Sequence, residues 1–188
     1  MFEIIDRVKP GLQKLICALR EAYPYASVLA VADDNRSWSI SRGGINISAA
    51  GRGGTGYVVR VFDGVGCAEY SFNEFEEENI PALCNILAQR LKEQNEALEG
   101  FAPLATPVLS DEAAVLKKSS AWRVHPRELG DEAIVEKLTA LRQKALDHDG
   151  RVLDAQARVS YRACRKLFLS ENRDLDQTVM WTTAMVAV

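Results

Sequence analysis

The chain reads as an α+β protein: a small mixed or antiparallel sheet of two hairpins packed against two helices, followed by a third helix and a long β-hairpin. Three observations predict this. Residues 36–73 hold four runs that alternate apolar and polar side chains and are joined by short glycine turns, the period-2 signature of half-buried strands. Ile5, Val8, Leu12, Leu15, Ile16 and Leu19, and later Leu83, Leu87 and Leu91, recur at helical spacing, which gives two amphipathic helices. A third helical pattern over residues 131–145 is followed by a long stretch that reads as one extended hairpin.

Taken in order, the first helix ends near Pro24, and Pro10 is expected to kink or weaken it. Trp38 and Ile40 alternate with Ser37, Ser39 and Ser41, and Ile45 and Ile47 alternate with Asn46 and Ser48. The pair Gly43-Gly44 between them supplies the positive φ that a tight hairpin turn needs. A second hairpin follows, residues 57–62 and 65–72, joined at Asp63-Gly64, a strong hairpin signal. The second helix opens around residues 79–81, with Pro81 tolerated in its first turn, buries Ile80, Leu83, Leu87 and Leu91, and stops before Gly100. Residues 101–130, with Pro103, Pro107 and Pro126, read as a long connection. Asp131 is expected to cap the third helix, which carries Ile134, Leu138, Leu141 and Ala145, with Gly150 just past its end. The organisation expected is an α+β domain over 1–100, the proline-containing connection over 101–130, and the helix with its hairpin over 131–188.

The 188 residues, 47% hydrophobic and 26% charged, suffice for one sizeable core or two small ones. Acidic residues near Met1 stand where a signal peptide would be basic, and no apolar run reaches the ~20 residues of a membrane span. The expected compartment is the cytoplasm, with no membrane partner. The net charge of -3 argues against a nucleic-acid partner. Arg158, Arg162, Arg165 and Lys166 are the nearest thing to a basic cluster, but they divide between both faces of a strand and read as a solvated or docking surface.

Candidate chemistry is thin. Residues 51–56 match G-x-G-x-x-G, yet the run from Tyr57 to Phe62 is β-branched and aromatic, so no helix N-terminus follows to cradle a phosphate. Asp147-His148-Asp149 sets two carboxylates around an imidazole, but adjacent residues at a helix end point apart, and a histidine there simply favours the dipole. Cys17, Cys67, Cys84 and Cys164 are scattered without a metal-ligand spacing and read as buried reduced thiols. His125 precedes Pro126, which disfavours helix at the histidine. On these grounds no residue is assigned as catalytic, cofactor-binding or metal-ligating.

The run SWSISRGGINISAAGRGGTGYVVRVFDGVGCAEYSFNE resembles the N-terminal half of the TldD/PmbA family, zinc metallopeptidases also called modulators of DNA gyrase. The matching positions are Gly56, Val59-Arg60-Val61, Gly64 and Tyr70-Ser71-Phe72-Asn73. Val58 stands where that family's G-x-G-V-R-V pattern has its second glycine, which suggests a divergent subfamily. In the tail, Arg158-Val159-Ser160-Tyr161, Ser170-Glu171-Asn172 and Thr182-Thr183-Ala184-Met185-Val186-Ala187 resemble the family's long central hairpin. The resemblance implies zinc held by an HExxxH helix and a later cysteine in a C-terminal half. Neither His125 nor His148 lies in such a motif, so this chain is expected to carry no cofactor, zinc belonging only to a C-terminal half.

The function implied is that of the N-terminal substrate-cleft and dimerisation domain of a metallopeptidase acting on peptides or unfolded protein, inactive as a hydrolase by itself. Its implied partners are a peptide substrate and a family member, in a homodimer or heterodimer. Two alternatives stand beside it: a non-catalytic binding or scaffold module paired with a separate catalytic subunit, and an unrelated ligand-binding domain whose loop 51–56 grips an anion. Residues 177–188 are apolar on both strand faces, the pattern of a strand covered twice. If the covering layers are absent, the hairpin 153–188 is expected to self-associate with Trp181 in the contact.

Overall fold

A computed structural model describes residues 2–48, 54–100 and 111–188. The elements in chain order are α1 (Glu3–Arg20), β1 (Tyr25–Ser41), β2 (Gly44–Ser48), β3 (Thr55–Phe62), β4 (Cys67–Phe72), α2 (Ile80–Ala97), β5 (Ala114–Ser119), α3 (Pro126–Leu129), α4 (Asp131–Leu146), β6 (Gln156–Ser170) and β7 (Arg173–Ala187). The strands form one sheet in the order β4-β3-β1-β6-β7-β5, and β2 pairs with β1. The α+β class, the two early hairpins and the long final hairpin stand as expected.

The chain divides into two compact units. The first is Met1–Ala32, Gly54–Lys118 and Arg165–Gln177; the second is Asp33–Gly53, Ser119–Cys164 and Thr178–Val188. In the first unit β1 and β3 run antiparallel with Val28 opposite Val59, and β3 and β4 with Tyr57 opposite Phe72. Leu12, Leu15 and Leu19 of α1 and Leu83, Leu87 and Leu91 of α2 bury against Val28, Val59, Val61, Leu167 and Leu169 in one apolar cluster. Each such side chain contributes about 1.5–3 kcal/mol on burial. That sum explains why α1 runs unbroken through Pro10, although proline inside a helix costs about 3 kcal/mol. The β3–β4 turn is held by Asp63, whose Oδ1 accepts the N–H groups of Val65 and Gly66 at 2.8 Å, while Gly64 takes φ +102°.

In the second unit the β1–β2 hairpin pairs Trp38 with Ile47 and Ser41 with Gly44. Of the two glycines at its turn, only Gly44 takes the left-handed conformation, at φ +115°. The unit's buried hydrophobic residues among those described are Trp38, Ile40, Ile134, Leu138, Ala155, Ala157, Tyr161, Ala163 and Cys164. The rings of Trp38 and Tyr161 lie 6.0 Å apart.

Several expectations need correction. The first strand begins at Tyr25, well before Trp38; the polar run Asp33-Asp34-Asn35-Arg36 sits inside it because each charged side chain finds a distant partner. The stretch read as a structureless connection contains β5 and α3. Asp131 does not cap α4: the N-cap is Gly130, and the Asp131 carboxylate is drawn to Arg36 and to the Trp38 indole, 3.0 Å away. Burial along α4 stops after Leu138, so Leu141 is exposed. Pro103, Pro107 and residues 51–53 of the glycine loop lie outside the described residues.

Candidate functional site

The second unit joins a buried polar network to an arginine-lined groove. Both follow from the alternation of β1 and β6, which sends successive side chains to opposite faces. On the face toward α3 and α4, Asp34, Arg36 and Trp38 of β1 stand with Tyr161 of β6. Asp34 is buried and accepts the Tyr161 hydroxyl at 2.8 Å. Arg127 of α3 donates from Nε to the Tyr161 oxygen at 2.7 Å and from Nη2 to the Asp34 carboxylate. Burial pushes the Tyr161 phenol above its ordinary range, and Arg127's bond to it acts in the opposite sense. The hydrogen bonds to Tyr161 and Asp34 hold the Arg127 guanidinium still more firmly protonated.

His125 stands beside this network, 6% exposed. Its backbone is extended, as a residue before proline requires, and its Nδ1 accepts the Arg127 N–H at 3.2 Å, which caps α3. Its ring meets Tyr161 edge-on at 5.0 Å and Trp122 at 6.0 Å. Among the described residues its Nε2 has no hydrogen-bond partner, nor have the buried Oδ1 of Asn35 and Nε of Arg36.

The other face of the same strands carries Asn35 and Ser37 of β1, Arg158, Ser160 and Arg162 of β6, and Trp181 of β7. Together with Arg36, Tyr161 and Thr183 they line a groove of about 340 Å³. Ser37 and Ser48 are joined by a hydroxyl–hydroxyl bond of 2.8 Å. Arg162 is oriented by Asp33, which accepts from Nε at 3.3 Å and Nη2 at 3.1 Å. Arg158 is exposed and has no hydrogen bond or ion pair among the described residues. Trp181 is 54% exposed.

Of the residues weighed on sequence grounds, Arg158 and Arg162 meet in this groove. Arg165 does not: it is buried in the first unit, where Asp6 accepts at 2.7 Å and Asp176 at 2.7 and 2.9 Å. The reading of Arg165 as a solvated cation is therefore corrected, since two carboxylates already match it. Asp147 accepts from Gln143 and Asp149 from Arg151, so the acids around His148 are engaged separately. Cys164 is buried as expected, but Cys17 is exposed on α1, and Cys67 and Cys84 are half-buried. Cys17, Cys67 and Cys84 are free thiols. β3 starts at Thr55, so a strand and not a helix follows the glycine loop. Both faces of β7 are exposed from Trp181 to Ala187, where a doubly covered strand was expected; among the described residues nothing lies over them.

Asp34, Tyr161 and Arg127 went unnoticed as a set. The signal that could have found them is the charged run inside β1, since four consecutive polar residues in a strand demand partners on both faces. Among the described residues no three His, Cys, Asp or Glu side chains converge so as to hold a metal ion.

No protein-family model and no curated protein matches the sequence. Solved structures do. A proposed modulator of a DNA gyrase from Thermotoga maritima superposes with a TM-score of 0.71 at 9% identity, over 94% of this chain and 38% of that one. Another proposed modulator of DNA gyrase, from Bacteroides thetaiotaomicron, gives 0.70 at 14% identity over 96% of this chain and 40% of that one. TldE from Thermococcus kodakarensis gives 0.62 at 16% identity over 94% and 39%. The likeness is one of fold, and the chain spans about two fifths of the length of those structures.

Proposed function

We propose that this chain is the N-terminal, substrate-binding portion of a TldD/PmbA-type metallopeptidase, the part that receives peptide or unfolded protein and carries no metal ligand. The fold likeness and the motif resemblance both support that family. The observation that carries the reading is the groove of the second unit, which Arg158, Ser160, Ser37 and a half-exposed Trp181 help to line. Hydroxyl and amide groups there suit a peptide backbone, and an exposed indole offers a large contact area at little entropic cost.

The test is a titration of the purified chain with a reduced, unfolded protein and with the same protein in its native form, following tryptophan emission. Binding of the unfolded form only, lost in Trp181→Phe, is expected, with no hydrolysis and no stoichiometric metal after purification without chelator. Equal indifference to both forms, or one tightly held zinc per chain, refutes the reading. A second reading is favoured by the exposure of Trp181 and Met185 on one face of β7: that face pairs with another family member, and the chain acts as a scaffold for a catalytic subunit.

A further inference from the structure

Among the described residues, the groove of the second unit holds a cation, Arg158, that no carboxylate balances. Arg162 is matched by Asp33 and Arg36 by Asp131, whereas Arg158 meets no carboxylate among the described residues. It stands on the same strand face as Ser160 and Arg162, beside the exposed Trp181. Asn35 adds a buried Oδ1 acceptor that still lacks a donor. The net demand of the site is thus one negative charge, one N–H donor and one apolar surface. A planar guanidinium meets a carboxylate through two parallel N–H···O bonds, a geometry that a lone cation can complete with a singly charged ligand. Polyphosphate backbones need several unmatched cations, and the chain carries a net charge of -3.

We propose that this groove selects an acidic residue of an extended peptide, its carboxylate held by Arg158, its backbone by Asn35 and the serines, and its neighbouring side chain by the Trp181 ring. The assignment rests on the peptide-binding reading above and names the chemistry of the peptide. Tyr161 also lines the groove, so a ligand bound there adjoins the buried Asp34–Tyr161–Arg127 network.

Two blocked pentapeptides, Ala-Ala-Glu-Ala-Ala and Ala-Ala-Gln-Ala-Ala, are titrated into the full chain at low salt while tryptophan emission is followed. The glutamate peptide should bind about fivefold more tightly, the order expected for one charge-assisted bond at an accessible site. The preference should fall to near parity in Arg158→Ala and reverse in Arg158→Glu, whose urea midpoints should stay close to the parent's because the Arg158 side chain is exposed and makes no hydrogen bond or ion pair among the described residues. If both peptides bind equally to the parent, acid selection is wrong while peptide binding stands. A preference that survives Arg158→Ala also overturns the assignment. If neither peptide binds, the peptide-binding reading fails and carries this one with it. An oligothymidylate that binds more tightly than the glutamate peptide, and does so through Arg158, would assign the groove to nucleic acid instead.

Discussion

Arg165 and Arg158 stand on one strand and differ in how completely the protein answers them. Arg165 is buried, and Asp6 and Asp176 each meet it through two hydrogen bonds, with the Phe2 carbonyl accepting a further one at 3.2 Å. Arg158 is exposed and unanswered among the described residues. A guanidinium saturated by its own chain stabilises a fold and leaves nothing for a ligand, whereas an unmatched one beside an exposed indole leaves its donors available. The two units divide in the same way. The first has a continuous apolar core from α1, α2 and the sheet; the second holds the three buried side-chain polar atoms that lack a partner among the described residues.

The largest effect is expected at Arg165. Arg165→Ala strands the buried Asp176 and should destabilise the protein by about 3–5 kcal/mol, the usual result of removing one partner from a buried ion pair. Urea unfolding measures it, and a loss under about 1 kcal/mol would mean that this cluster is as weak as a surface pair. The acid limb gives a second reading of the same cluster. Hydrogen bonds from Arg165 hold the Asp6 and Asp176 carboxyls below their ordinary range. Depressed folded values contribute stability that is present above the unfolded value near pH ~4 and lost as pH falls through the folded ones. The wild type should therefore lose stability steeply below about pH 4, and Arg165→Met should flatten that limb. An unchanged slope would separate the titration from the cluster.

A smaller effect is expected in the second unit. Tyr161→Phe removes the bond to Asp34 and the acceptor of Arg127 Nε, while the ring contact with Trp38 remains. The loss should be about 1 kcal/mol, because Arg127 keeps Asp34 and its side chain is 54% exposed. Asp34→Ala should cost more, about 1–3 kcal/mol, since it leaves the buried phenol and the guanidinium to each other. If Tyr161→Phe cost as much as Arg165→Ala, the contrast between the two units would collapse.

What the sequence made legible and what it did not divide along the same line. The hairpin at Gly44 and the turn at Asp63 were readable because a turn is decided by neighbours: Gly44 supplies the positive φ and Asp63 bonds N–H groups two and three residues on. Helices α1 and α2 were readable because their apolar stripes repeat within a few residues. Arg165 was misread because its partner Asp6 lies 159 positions away. Strand β1 was truncated at its charged run because Asp33, Asp34 and Arg36 are satisfied by Arg162, Arg127 and Asp131, none of them nearby in sequence. Local composition there resembles a turn; only the tertiary partners make it a strand.

The smallest effect on stability, and the sharpest test of the open face, belongs to Trp181. More than half of its surface is exposed, and the strand beyond it is exposed on both faces, so Trp181→Lys should change the urea midpoint by no more than about 0.5 kcal/mol in stability. Association is where it should act. An apolar strand face rimmed by polar residues recruits a partner, and β7 offers exposed Met185 on the same face as Trp181. Sedimentation over a hundredfold range of concentration should show the wild type gaining mass as concentration rises, and Trp181→Lys remaining a monomer throughout, because a charge buried at such a contact costs several kcal/mol unless it is paired. Association that persists in the variant would move the contact to another surface. A wild type that stays monomeric at every concentration would remove the scaffold reading and leave the face to peptide alone.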